Sequence, residues 1–228
     1  MNIQCIIPAR GGSKEIFKKN IINFCGKPLL AWTIEQCINA EKVSDVWVSS
    51  DDDDILHVAE QYGAKIIKRP EEISGDSATS ESAWLHAIEY LESSGVPVDI
   101  VLGPQVTSPL REVVDIDNAI TKFIEGNYDS MFAASMVDDL FFWEESSGGI
   151  ESVSYDYKNR KRRQDIKEKI IENGSFYLFK SKLIKNNNNR IGGEIGYSEM
   201  DFWKMFEIDN ADDIRMCSAL MNEFLIKD

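Results

Sequence analysis

What this 228-residue sequence has little of narrows the possibilities first. Histidine occurs twice, at His57 and His86, with no second histidine or cysteine at ligand spacing, which argues against a zinc site and an imidazole general base. The four cysteines, Cys5, Cys25, Cys37 and Cys217, form no CxxC pair. Cys5, Cys37 and Cys217 fall on apolar faces and read as free buried thiols of a reducing compartment. No segment approaches membrane-spanning length, and "MNIQCIIPAR" carries no basic leader ahead of a long apolar run. A cytoplasmic protein with no membrane partner is therefore expected. Positive charge is scarce: 25 Lys and Arg face 39 Asp and Glu, for a formal net charge of −14. A field of that sign repels polyphosphates, so no nucleic-acid partner is expected. Neither GxxxxGK[ST] nor GxGxxG occurs, which removes the usual Walker and dinucleotide fingerprints.

Against that background "IIPARGGSKEIFKKN", from Ile6 to Asn20, stands out. Arg10, Lys14, Lys18 and Lys19 cluster around the pair Gly11–Gly12, directly after an apolar run. In an anionic chain, such an island is the place to look for a phosphate site. The glycines permit positive φ and close backbone approach, so that N–H groups can converge on an anion, and Ser13 adds a hydroxyl donor. Arg10, Lys14 and Lys19 supply charge for a polyphosphate.

Short β-branched runs alternate with helical patterns. Ile3–Ile7, 43–50, 64–68, 98–103 and 128–135 read as strands. The helices between them bury Leu30, Ile34, Cys37 and Ile38, then Ile55, Val58, Ala59 and Tyr62. A third, capped at Thr79 or Ser80, buries Trp84, Ala87, Ile88 and Leu91, and a fourth spans 113–124. This rhythm implies an α/β fold, a Rossmann-like three-layer α/β/α arrangement with a mainly parallel sheet, in a single domain over 1–228. It breaks after Val137. Residues 138–165 read as an inserted hairpin-like arm, whose Phe141, Phe142 and Trp143 form either a dimerisation surface or a satellite core. The rhythm returns with "GSFYLF", a strand over 205–209, and a terminal helix placing Ile214, Cys217, Leu220, Met221 and Phe224 on one face. "NNNN" at 186–189 reads as a polar loop. "SSDDDD" at 49–54 suits a helix N-terminus better than a metal site.

Several stretches then match one family in order: "IPARGGSK" with "KN" beyond it, "RPEEISGDSATS" from Arg69, "QVTSPLR" from Gln105, "RRQD" at 162–165, "ENGSFYLF" from Glu172, and "FEIDNADD" from Phe206. Together they span nearly the whole chain. The sequence resembles the cytidylyltransferases that activate acidic sugars, above all the CMP-sialic acid synthetases. Its "KKN", "RQD" and "ENG" stretches are more similar to the nonulosonic acid branch than to the Kdo branch.

The resemblance implies transfer of CMP from CTP to the anomeric hydroxyl of a nonulosonic acid, with Mg²⁺ as cofactor, and the arm at 138–165 makes a homodimer the expected working form. It places Arg10, Ser13, Lys14, Lys19 and Asn20 around the triphosphate and ribose, and Arg69, Ala78 and Ser80 at the cytosine. It gives Gln105, Ser108, Arg111 and Arg163 to the sugar, with Arg163 pairing a carboxylate two-pronged. Glu207 and Asp209 become the metal pair, and alternate residues on an extended chain share a face. Arg10, Lys19 and Asp209 carry the catalytic weight.

The chain departs from the family pattern at four points. Glu15 stands where glycine is usual and adds negative charge beside the phosphate loop. Val106 replaces a proline, "LGP" precedes Gln105 in place of a leucine-rich lead-in, and Glu207 replaces an aspartate. Alternatives are another sugar substrate, such as Kdo or a hexose phosphate, and a nucleotide-binding protein that has lost turnover. "NRKRRQD" admits a surface basic patch beside the site-arginine reading, and Asn210 can cap a helix while Asp209 ligates.

Overall fold

The computed structural model describes residues 1–13, 15–76, 78–137, 140–165 and 168–226; nothing is described of the Arg163 side chain. Strand β1 (Ile3–Pro8) runs through the middle of the molecule and is buried along almost its whole length. Its apolar run, interrupted by buried Gln4, which accepts from the Trp47 indole at 2.9 Å, follows from having parallel neighbours on both edges and helices on both faces. On one edge lies β4 (Asp45–Ser50), on the other β6 (Ile100–Pro104), with Ile6 opposite Trp47 and Cys5 opposite Leu102. The two-residue strands β2 (Asn23–Phe24) and β3 (Lys27–Pro28) form a small separate hairpin. With β5 (Lys65–Lys68), β7 (Ser130–Val137), β10 (Lys169–Lys180) and β11 (Ile195–Met200), the main sheet has seven strands in the order β11-β7-β10-β6-β1-β4-β5.

Helices α1 (Leu29–Ile38), α2 (Asp53–Gln61), α4 (Val113–Glu125) and α6 (Ala211–Phe224) cover one face, and α3 (Ser80–Ser93) with α5 (Ser181–Asn187) the other. The two apolar clusters follow the strand alternation: Ile3, Cys5 and Ile7 face the larger, Ile6 the smaller. The expected three-layer, mainly parallel architecture is present. One strand departs from it: β10 is antiparallel to both β6 and β7.

Local chemistry explains where the helices begin. Asp52 caps α2 by accepting from the amides of Asp54 and Ile55, so the acidic run is a helix start as expected. Thr79 caps α3 through the Ser82 amide. Asn210 and Asp213 form a reciprocal capping box at α6.

Three local expectations fail. Ile38, the last residue of α1, is exposed, whereas Leu29 and Ala31 in its first turn are buried. Residues 205–209 are not a strand: Met205 closes a short helical turn, Phe202–Met205, and beyond it Ile208 is pinned by one backbone bond, its N–H donating to the Thr107 carbonyl at 2.7 Å. The seventh strand is β11, which pairs in parallel with β7. Within 138–165, strands β8 (Trp143–Ser146) and β9 (Gly149–Ser152) form the expected hairpin. Its aromatics partly pack on one another, Phe141 against Tyr155 at 4.4 Å and Trp143 against Tyr157 at 5.2 Å, yet Phe142, Trp143 and Ile150 remain exposed.

Candidate active site

The chain leaves β1 at Pro8 and turns over the carboxyl end of the sheet, where ligands of open α/β folds bind. Asn20, buried, ties down the turn by donating its side-chain amide to the Arg10 carbonyl at 2.9 Å. Gly11 and Gly12 do not use the positive φ that glycine permits. What Gly11 supplies is room: a Cβ there would lie 2.8 Å from the Asp52 side chain, whereas one at Gly12 would meet nothing within 4 Å. The Gly11 N–H donates to Asp51 Oδ1 at 3.1 Å, so an acid at the end of β4 holds an amide expected to meet phosphate.

Beyond this turn opens a cavity of about 530 Å³. Arg10, Ser13, Lys19 and Asn20 line one part of it; Arg69, Ala78 and Ser80 line a second, and Gln105 and Asp209 a third. Residues 140 or more positions apart in the chain thus share one chamber: Lys19 Nζ donates to Asp209 Oδ1 at 2.9 Å. Glu15 also lines it and brings the extra negative charge anticipated from the sequence. Lys14 lies outside the described residues, and the backbone of Arg163 sits in a short helical turn, Arg163–Asp165.

The cations lining this chamber each face a carboxylate. Arg10 meets Asp76 at 3.3 Å, Lys19 meets Asp209, and Arg69 lies 3.8 Å from Asp51. Arg69 is 5% exposed, and its Nε and Nη2 have no hydrogen-bond partner. Burial pulls its pKa below the ordinary arginine value, with Asp51 opposing. Buried donors left without partners are costly, which makes this guanidinium a natural place for a ligand acceptor.

A second grouping forms around the bulge in β10 between Glu172 and Tyr177, where Gly174 adopts φ +70°. Gln105 Nε2, Glu207 Oε2 and Ser108 Oγ all lie within 3.8 Å of the position a Gly174 Cβ would take. Ser108 Oγ is buried without a partner. Ser108 and Glu207 do not line the main cavity, but Gln105 belongs to both groupings and joins them.

Arg111 does not face either space. Its guanidinium is 1% exposed; Nε donates to Ser175 Oγ at 3.0 Å, and Nη2 to the carbonyls of Gln105, at 2.5 Å, and Ser108. The expected sugar contact is instead a buried clamp on the turn that carries Gln105 and Ser108. Gln36 reinforces that turn, donating to the carbonyls of Pro109 and Arg111.

Glu207 and Asp209 flank buried Ile208, and their carboxylates lie close enough to act on one another. Burial raises the Glu207 pKa first, and the neighbouring Asp209 adds to it, while Lys19 works in the opposite sense. The described residues hold no group of three or more His, Cys, Asp or Glu able to enclose a metal. Two carboxylates beside a cationic pocket nevertheless suit a hard divalent cation that takes its remaining oxygens from water and substrate phosphate.

Sequence reasoning missed Asp51, Asp76, Thr107 and Gly174, and took Trp84 for core alone, although it lines the cavity. Asp51 gives no periodic signal, because its role depends on β4 ending beside β1.

Comparison with known proteins follows the same lines. A family model described as "Cytidylyltransferase" matches residues 4–200. A pseudaminic acid cytidylyltransferase of Campylobacter jejuni is 39% identical over 184 residues, covering 78% of each chain. N-acylneuraminate cytidylyltransferase A of Danio rerio is 35% identical over 202 residues; these cover 87% of this chain but 46% of the fish protein. Among solved structures, a CMP:2-keto-3-deoxy-manno-octonic acid synthetase complexed with CTP superposes with TM-score 0.72 over 99% of this chain and all of the other. At 14% identity that likeness speaks to fold alone. With its model matched over most of the sheet and relatives above one-third identity, the chain belongs to the cytidylyltransferase family.

Proposed function

We propose that this cytidylyltransferase transfers CMP from CTP to the anomeric hydroxyl of a nonulosonic acid, of the N-acylneuraminate or pseudaminate type. The observation that carries the reading is the single cavity in which the cationic turn, Arg69 with the start of α3, and Gln105 with Asp209 meet. In the proposed reaction the anomeric oxygen attacks the α-phosphorus of CTP. The bond from that phosphorus to the bridging oxygen breaks, pyrophosphate leaves, and the hydroxyl proton passes to solvent. No covalent enzyme intermediate is required, so the protein's task is alignment and charge neutralisation.

Arg10 and Lys19, with Ser13, Lys14 and Asn20, take the triphosphate and ribose; an entering polyphosphate competes with Asp76 and Asp209 for these cations. Arg69, Ala78 and Ser80 take the cytosine, where the orphan donors of Arg69 meet acceptors on the base. Gln105 and Ser108, beside Gly174, take the sugar, and Arg163 its carboxylate. Glu207 and Asp209 would hold Mg²⁺, which when bound supplies charge neutralisation and lowers the pKa of the attacking hydroxyl. The exposed aromatic hairpin is the dimerisation arm. The cytoplasm is the site of action, in keeping with four free cysteines; among the described residues no helix is long and apolar enough to cross a membrane.

The test is pyrophosphate release from CTP and Mg²⁺ with N-acetylneuraminate, pseudaminic acid or Kdo. Release with either nonulosonic acid, and none with Kdo, is expected. Release with Kdo alone overturns the sugar class; silence across the panel, with no CTP binding, overturns the reaction.

A further inference from the structure

Arg190 follows the run of asparagines that reads from sequence as a plain polar loop. Its guanidinium lies 4.3 Å from the ring centre of Tyr177 and 5.6 Å from that of Trp84, and it forms an ion pair with Glu81. The side chain is 25% exposed, and its Nε is buried without a partner. Burial works against its charge, but Tyr177 and Glu81 outweigh burial and hold its pKa above the ordinary value.

The groups that Arg190 touches belong to two walls, Glu81 and Trp84 to α3 and Tyr177 to β10. Glu81 is in the first turn of α3, next to the cavity-lining Ser80. Trp84, one turn further, lines the cavity itself and donates its indole N–H to the Ile6 carbonyl at 3.1 Å. The indole can lie against β6 because Gly103 has no Cβ, which would come within 2.6 Å of the ring. Tyr177 sits opposite Gly103 on β10 and donates its hydroxyl to Glu172 Oε1 at 2.5 Å. Glu172 begins the bulge around which Gln105, Ser108 and Glu207 gather.

We propose that Arg190 is a positioning residue: it bridges the first turn of α3 to the β10 bulge and so keeps the two groupings of the candidate site in register. For its functional half this rests on the cytidylyltransferase reading. The bridge needs a cation that pairs with Glu81 and lies against the Tyr177 ring at once. A lysine keeps the charge but cannot stack its head group on the ring, so it holds the two contacts together less well.

The test uses the full chain with Arg190→Ala, Arg190→Lys, Glu81→Gln and the Glu81→Gln/Arg190→Ala double variant. Two readouts are taken: amide hydrogen exchange in the first two turns of α3 without nucleotide, and the CTP dissociation constant by calorimetry. Loss of a partly buried charge-assisted contact is expected to speed exchange and weaken CTP binding, each about tenfold, in Arg190→Ala and Glu81→Gln. Arg190→Lys falls between these and the parent, and the double variant is no worse than either single one. Unchanged exchange, additive losses, or faster exchange without weaker CTP binding overturns the proposal. A parent protein that binds no CTP at all overturns the cytidylyltransferase reading instead, and exchange at α3 then decides the bridge.

Discussion

At the residue scale the site depends on what adjacent side chains leave room for. Gly11 and Gly12 are neighbours with opposite surroundings, one against the Asp52 side chain and one open. Gly11→Ala forces apart the turn and the cap of α2, and overpacking of this kind costs about 1–3 kcal/mol. The expected outcome is a lower Tm with CTP affinity reduced about tenfold, since small misplacements of binding groups are amplified at such sites. Gly12→Ala should leave both unchanged; equal effects of the two, by calorimetry and thermal melts, would refute the close-approach explanation. That Arg10 and Lys19 line the cavity was legible, because cations following a first strand stand out in an anionic chain, whereas Arg69, which follows β5, was placed there only by the resemblance. The burial of Arg111 was not: nothing in "QVTSPLR" distinguishes an arginine that reaches a ligand from one that folds back onto its own turn.

At the scale of elements, Lys204 shows how a single buried charge locates a secondary structure. It lies in the short turn Phe202–Met205, 2% exposed, and donates to Glu112 at 2.8 Å and to Asp115 at 2.9 and 2.8 Å, fastening the stretch before Glu207 to the start of α4. Burial opposes its charge, yet the Asp115 and Glu112 bonds prevail and raise its pKa above the ordinary 10.5. A raised lysine pKa means that its stabilisation is complete below the unfolded value and fades as pH climbs through the folded one. Lys204→Met, which leaves Asp115 only its capping bond from the Glu112 amide, should cost about 3–5 kcal/mol at neutral pH. Denaturant titrations should also show the parent losing stability above pH 10.5 more steeply than the variant. A variant as stable as the parent would show that the ion cluster is dispensable. This cluster also explains a misread element. Residues 205–209 carry a strand-like pattern, but they are held by Lys204 and one backbone bond to Thr107, so no ladder forms. The true edge strand, Ile195–Met200, contains a glycine and two polar residues among six and gives only a weak β signal.

At the scale of the whole molecule, the alternation of strands and helices revealed the layers, since parallel crossovers leave few other arrangements. It could not reveal that β10 runs the other way, because an antiparallel strand buried on both faces has the same apolar run as a parallel one. The arm sets the other large-scale expectation. Phe142 is 51% exposed, Trp143 44% and Ile150 71%, an apolar patch suited to a second copy of the chain. Sedimentation velocity should find a dimer that Trp143→Ser with Ile150→Ser converts to monomer; a parent that sediments as a monomer at micromolar concentration would refute the assignment.

The pairing of Arg10, Lys19 and Arg69 with Asp76, Asp209 and Asp51 has a consequence for the energetics of salt. A cationic pocket ordinarily gathers dissolved anions, and a polyanionic ligand binds partly by setting them free, so added electrolyte weakens it steeply. Here the pocket already carries covalently tethered counter-ions. A triphosphate that takes over the cations releases no dissolved anions; it leaves behind bare carboxylates that draw cations from the medium. Ligation is thereby linked to uptake of ions rather than to their escape. Moderate ionic strength should cost this site little, and divalent cations should favour its occupation even beyond those that travel with the nucleotide.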